Sequence, residues 1–299
     1  MKPVFVINAL SETVAKKGSK LAGLTNRAAA VFDEHIFDNL NQIVEAGCEA
    51  GWVFIEGGDG TAQGIISAFF NHISVNADMP KFTLLPGGMT NQVAKNIGLK
   101  TFSFKGISEL LDGKGASKEQ VMLKVSCEGH PNLYGFVFST GGVPMVTQYT
   151  KNKLHSKGIG GSAAVVGGII KGISGKDETV LHPTDISVGI DGKLIEGSHL
   201  GTLVTTLPSL LLRLDPFWGG GSKPLRLTFV EGKPKHLARN VAGLWLGHKE
   251  KDRSSDGLHS YRATQLDYQY GGPIVLDGEP LHIPINFKVS STQPLIFVS

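Results

Sequence analysis

Trp52-Val53-Phe54-Ile55-Glu56-Gly57-Gly58-Asp59-Gly60-Thr61 runs from a β-branched, aromatic stretch into a glycine cluster. The segment that follows, Ala62 to His72, sets Ile65, Ile66, Phe69 and Phe70 on one helical face, as an amphipathic helix requires. Gly57, Gly58 and Gly60 carry no Cβ to block the close approach of a polyphosphate. The helix start offers N–H groups and the positive end of its dipole to the same anion. Asp59 then stands at the carboxyl end of a strand, where α/β sheets collect ligands. A carboxylate there can orient Mg2+ or take a proton from an attacking hydroxyl. The competing description is a plain glycine turn with Asp59 as a helix cap. The complete string in a strand-to-helix setting favours the phosphate reading.

A second loop repeats the arrangement. Phe82 to Leu85 reads as a strand, Pro86-Gly87-Gly88 ends it, and Asn91 to Ile97 reads as a helix. Gly87 and Gly88 let the backbone approach a phosphate or ribose, and Thr90 and Asn91 place hydrogen-bonding groups at the helix start. The two loops lie about 30 residues apart, the repeat of a βα unit. Upstream, Pro3 to Ile7 patterns as a strand, Lys16 to Ala30 as a helix with Ser19 as an internal cap, and Asp38 to Ala46 as another helix. This alternation predicts an α/β domain with a parallel sheet covered by helices.

After Lys114-Gly115 the texture changes. Strand-like runs follow at Gln120 to Val125, Tyr134 to Ser139, Ile186 to Ile190, Leu200 to Thr206, Leu225 to Val230 and Gln265 to Tyr270. Helical patterns interrupt them at Gly160 to Lys171 and His236 to Leu246. The expected organisation is an α/β domain over residues 1–116 and a mostly antiparallel β domain over 117–289. A tail, about residues 290–299, returns to the first domain.

Composition narrows the function classes. Hydrophobic residues make up 41% and charged residues 18%, the balance of a folded soluble chain. The net charge of +3 is spread along the sequence, which argues against a nucleic-acid partner. Cys48 and Cys127 stand far apart, as free thiols in a reducing compartment. The first apolar run is too short for a signal peptide, and Ile159 to Ile173 is too short and glycine-rich to span a bilayer. A cytoplasmic location is expected. The ten histidines form no pair at metal-ligand spacing. Ser162, in Gly160-Gly161-Ser162-Ala163, lies outside a nucleophile elbow. Leu207 to Trp218, rich in leucine and ending in aromatics, reads either as an exposed lip for acyl chains or as a packed turn.

The two loops together resemble the catalytic domain of the diacylglycerol kinase and sphingosine kinase superfamily, whose members carry Gly-Gly-Asp-Gly-Thr and then Leu-Pro-x-Gly-Thr-x-Asn-x-x-Ala. Here the second string is Leu85-Pro86-Gly87-Gly88-Met89-Thr90-Asn91-Gln92-Val93-Ala94. Leu276-Asp277-Gly278-Glu279-Pro280 resembles the family's late Asp-Gly-Glu, and Tyr134 to Gly142 resembles the strand and turn that open its β domain. Asn8 matches the first residue of the family's opening Asn-Pro-x-Ser-Gly, with Lys16 and Lys17 standing for its basic residue. The resemblance implies ATP and Mg2+, with the nucleotide between the two domains. Asn8, Gly57, Gly58, Gly60, Thr61, Gly87, Gly88, Thr90, Asn91 and Asp277 would bind it. Asp59 and Glu279 would be catalytic and hold the metal. The acceptor would be a hydroxyl of a diacylglycerol-like or other long-chain lipid. Expected partners are that acceptor, a transient membrane surface and a second copy of the chain.

The chain departs from the family at several positions. Met89 stands for a threonine, Met122 for an aspartate that contacts the acceptor, and Gly220-Gly221-Ser222 for an Asp-Asp-Gly. These changes keep open a kinase acting on NAD or another small polar acceptor. They also keep open a nucleotide-binding regulator without catalysis.

Overall fold

The computed structural model describes residues 2–73, 78–88, 91–98, 103–142, 182–210, 215–245 and 252–299. The chain divides into two units, one of Met1–Val121 with Gln293–Ser299 and the other of Met122–Thr292.

In the first unit, short apolar runs form β1 (Val4–Ile7), β2 (Ala30–Phe32), β3 (Trp52–Gly57) and β4 (Lys81–Pro86). A charged edge strand, β5 (Ser117–Gln120), and the last strand of the chain, β17 (Leu295–Val298), complete the sheet. The order is β2-β1-β3-β4-β17-β5, parallel throughout except where β5 runs against β17. All four residues of β1 are buried, as expected of a parallel strand covered on both faces. Thr83, itself fully buried, accepts a hydrogen bond from Trp52 Nε1 at 3.0 Å and donates one to the Val298 carbonyl at 2.9 Å. The side chain of β4 thus ties β3 to the returning strand.

The helices are α1 (Glu12–Lys17), α2 (Leu40–Ala50), α3 (Asp59–His72), α4 (Gln92–Ile97) and α5 (Phe104–Leu111). On one face of the sheet, Phe5, Ile7, Phe54 and Leu85 pack with Leu21, Leu24, Ile107 and Leu110. Phe69 of α3 meets Phe82 of β4 edge to face, with ring centroids 5.3 Å apart. Gly47 of α2 makes room for this contact: a Cβ there would lie 2.6 Å from the Phe69 ring and 2.8 Å from Val53.

The helix expected over Lys16 to Ala30 is not one helix. α1 stops at Gly18, which takes a positive φ of 76°. A 3-10 turn, Ala22–Arg27, follows, and Ala30 already belongs to β2. Ser19 does cap, but it caps the 3-10 turn, accepting from the N–H of Leu21 and Ala22 at 3.1 Å each. The strand expected over Gln120 to Val125 is likewise two, β5 in the first unit and β6 (Leu123–Ser126) in the second. Between them Met122 is fully buried, its N–H donating to Thr292 Oγ1 at 3.0 Å.

The second unit is built from β6, β7 (Leu133–Gly135), β8 (Val137–Gly141), β9 (Thr184–Ile190) and β10 (Lys193–Thr205). It continues with β11 (Leu225–Glu231), the helix α6 (Leu237–Trp245) and β12 (Leu258–Ala263). β13 (Gln265–Gln269), β14 (Ile274–Leu276), β15 (Glu279–Leu281) and β16 (Asn286–Ser291) complete it. The sheet order is β15-β14-β8-β10-β9-β13-β16-β6-β7, with β11 and β12 branching from β10, and its pairings are antiparallel. β7 and β8 are one run of chain bent at Phe136, so the sheet curls back on itself around Phe138, Val188, Val204, Leu227, Leu266 and Val289. The helical pattern at Gly160 to Lys171, Ser162 and the Ile159 to Ile173 stretch lie outside the described residues.

Two Asp-Gly pairs shape this unit. Asp191-Gly192 joins β9 to β10 with φ of 49° and 86°, and Asp277-Gly278 joins β14 to β15 with φ of 50° and 88°. Positive φ at both central residues marks the type I′ hairpin turn that matches strand twist. Inside the unit, His199 is fully buried. Its Nδ1–H donates to the Thr184 carbonyl at 2.8 Å, which leaves Nε2 to accept from Thr140 Oγ1 at 2.9 Å. Thr140 also meets Thr202 Oγ1 at 2.7 Å, and Tyr270 OH lies 3.2 Å from Thr184 Oγ1. Among the described residues no helix is long and apolar enough to cross a membrane.

Candidate functional site

Three loops at the carboxyl ends of β1, β3 and β4 are tied to one another within the first unit. The loop after β1 begins at Asn8, whose N–H donates to the Glu56 carbonyl at 2.9 Å and whose Nδ2 donates to Thr61 Oγ1 at 2.8 Å. Ser11 Oγ accepts from Gly58 N–H at 3.3 Å. Thr13 donates its N–H to Gly87 O at 2.7 Å and its hydroxyl to Gly88 O at 3.1 Å. Gly87 N–H donates to Gly57 O at 2.7 Å.

Most motif glycines are explained by this packing. A Cβ on Gly88 would lie 2.5 Å from Gly58 Cα, and one on Gly87 would lie 2.9 Å from Gly57. A Cβ on Gly57 would strike the Thr61 side chain at 2.6 Å. Such distances exclude any side chain without movement of the loops. Gly60 differs. It is exposed, in the first turn of α3, and a Cβ there would meet none of the described residues within 4 Å.

Asp59 is held firmly. Its Oδ2 accepts from Gln92 N–H at 2.9 Å and its Oδ1 from Val93 N–H at 2.8 Å. It therefore caps α4, the helix after the second loop, although it lies in the first turn of α3 itself. The cap weighed for it in the sequence is present, at α4 and not at its own helix. Asn91, with φ of 49°, folds its amide back on the loop, accepting from Gly88 N–H at 2.8 Å and donating to Gly88 O at 2.6 Å. The start of α4 is thus engaged by Asp59. α3, at 14 residues, presents the dipole end beside Gly60. Thr90 and Met89 lie outside the described residues.

The structure places the remaining predicted residues as follows. Lys16 is exposed and paired with Glu12 at 2.6 Å, and Lys17 is exposed at the end of α1. Asp277 belongs to the second unit, where its carboxylate accepts from Phe136 N–H at 3.0 Å and Val137 N–H at 2.8 Å, fixing the bend between β7 and β8. Its own N–H returns to Val137 O at 2.8 Å. Glu279 opens the edge strand β15 and is exposed. At the described ends of the Leu207 to Trp218 segment, Leu207 and Phe217 are buried, and Arg226 binds the Leu207 carbonyl, the Asp215 carboxylate and the face of Phe217. Leu211 to Leu214 lie outside the described residues. Ser11, Thr13, Ser19 and Glu56 are the site residues that sequence reasoning missed. Glu56 gave a signal, as an acid inside an apolar strand, and Ser19 gave one as an expected cap.

Residues 7–124 match the family model of the diacylglycerol kinase catalytic domain. That match spans the α/β part of the chain and is what ties it to diacylglycerol kinases. The match takes in all three loops of the first unit. A diacylglycerol kinase from Bacillus anthracis superposes with a TM-score of 0.61 at 13% identity, covering 99% of this chain and 96% of its own. A diacylglycerol kinase-like protein from the same strain reaches 0.70 at 14% identity, with the same coverage. Yeast NADH kinase complexed with NADH reaches 0.50 at 11% identity, covering 100% of this chain and 83% of its own. No curated protein matches. At these identities the superpositions speak to the fold, and the family match supports a phosphotransferase.

Proposed function

We propose that this diacylglycerol kinase-like chain transfers the terminal phosphate of ATP to a hydroxyl of a diacylglycerol-like or other long-chain lipid. The observation that carries this reading is the open space over Gly60, at the start of α3, with Asp59 locked beside it. A helix N-terminus next to a carboxylate is the arrangement that phosphates and their cation require. The residues present fit both groups. Gly57 to Thr61 would receive the phosphates, and Asp59 is a carboxylate of the kind that joins substrate phosphates in holding Mg2+. The bound ion would neutralise charge on the phosphates. Among the described residues no three His, Cys, Asp or Glu side chains gather as a metal cage.

The chain's own contribution is positioning. Asn8 and Thr61 brace the loop from below, and Asn91 shapes the second loop. Asp59, gripped through both oxygens, acts as a fixed charge. It would orient the cation. Phosphoryl transfer depends mostly on such placement and charge neutralisation. A second reading takes NAD as acceptor, which the superposition on yeast NADH kinase favours. Labelled ATP and Mg2+, incubated with the full chain and either a total lipid extract or NAD, separates the two. Label in lipid supports the first reading, and label in NAD supports the second. ATP binding without transfer to either leaves a nucleotide-binding regulator.

A further inference from the structure

The residue before the first glycine of the loop is a buried acid. Glu56 is 3% exposed at the carboxyl end of β3. A carboxylate taken out of water needs hydrogen bonds to compensate, and here they come from one short stretch. Ser19 Oγ donates to Oε2 at 2.5 Å, Lys20 N–H to Oε1 at 3.0 Å and Leu21 N–H to Oε2 at 3.3 Å. The backbone carbonyl of the same residue accepts from Asn8 N–H at 2.9 Å. Glu56 therefore grips the chain at residue 8 and again at residues 19–21.

The segment between those grips is the one that crosses both glycine loops. Ser11 takes Gly58 N–H, and Thr13 binds the carbonyls of Gly87 and Gly88. Val14 fills the space beside Gly87, where a Cβ would lie 2.8 Å from its Cγ2. Gly18, at φ 76°, turns the chain back towards Glu56. We propose that Glu56 is a positioning residue of the phosphate site, closing residues 8–21 as a strap that fixes the spacing of the two glycine loops. The strap also sets the backbone from which Lys16, Lys17 and Lys20 project. This role rests on the reading of Gly57 to Thr61 as a phosphate site. The rival account is a core acid that matters only for stability.

The two accounts separate in wild type, Glu56→Gln, Glu56→Ala and Ser19→Ala. Mg-ATP affinity is measured on each by calorimetry, alongside amide exchange at Thr13 and Gly58. Glu56→Ala removes the grip on residues 19–21. It is expected to speed exchange at both amides and to raise the ATP Kd about tenfold. Glu56→Gln keeps one acceptor oxygen but turns its amide N–H2 towards a backbone N–H, so both readouts fall between wild type and Glu56→Ala. Ser19→Ala gives an intermediate loss and keeps the test open should Glu56→Ala not fold. Wild-type ATP affinity in folded Glu56→Ala or Ser19→Ala, with only a lower Tm, overturns the proposal. Should wild type bind no ATP while exchange still quickens in Glu56→Ala, the phosphate-site reading has failed and the positioning role falls with it.

Discussion

Asp59 and Gly88 show how one side chain, or the lack of one, holds the site. Asp59→Ala leaves Gln92 and Val93 N–H without their acceptor, a lost cap that costs about 1 kcal/mol. Asp59→Asn turns an amide N–H2 towards one of those donors, so it too lowers Tm while abolishing ATP turnover. Thermal melts and a turnover assay on both variants check this, and full activity in either removes Asp59 from the reaction. Gly88→Ala drives a Cβ to within 2.5 Å of Gly58 Cα. Overpacking of this kind costs about 1–3 kcal/mol, and denaturant unfolding should register it. In the sequence, Gly57 to Thr61 reads as a loop for phosphate. The sequence could not show that Gly57, Gly58, Gly87 and Gly88 are glycines chiefly because the loops pack against each other. That contact joins residues distant in sequence, and both explanations select glycine.

The elements of the first unit were legible where period and length agreed, as in β3, α3 and β4. They were misread where a residue with positive φ interrupts a helix-forming composition. Gly18 ends α1, and the Glu56 carboxylate, distant in sequence, holds Ser19 to Leu21 in a turn. Asp277-Gly278, which the resemblance assigns to a nucleotide motif, also forms a hairpin turn whose carboxylate fixes the bend at Phe136. At the same scale, Gly47 sets how closely α2 approaches α3 and β3. Gly47→Ala forces its Cβ against Phe69 and Val53, and despite Ala's better helix propensity it should lower unfolding free energy by about 1–3 kcal/mol. A midpoint equal to or above wild type in urea would show that the helices can separate without cost.

Over the whole chain, β17 returns from the second unit into the middle of the first sheet, between β4 and β5. The second unit carries a pH dependence of its own. Burial holds His199 below its ordinary value of 6.5, against the opposing effects of the Thr184 carbonyl and Asp185. The unfolded chain takes up that proton near 6.5 while the folded one resists until lower pH, so stability is lost as pH falls through that window. The slope from one group is at most about 1.4 kcal/mol per pH unit. Melts of wild type and His199→Gln between neutral and acid pH should diverge, with a flatter curve for the variant; parallel curves would remove His199 as the cause. The central claim concerns the other unit and is tested most directly by titrating Mg-ATP into wild type and Gly60→Ala. Because the added methyl meets none of the described residues within 4 Å, Tm should hold or rise. Wild type should bind saturably and Gly60→Ala about tenfold more weakly. No saturable binding to wild type, or equal affinity in the two, would contradict the placement of phosphate over this loop.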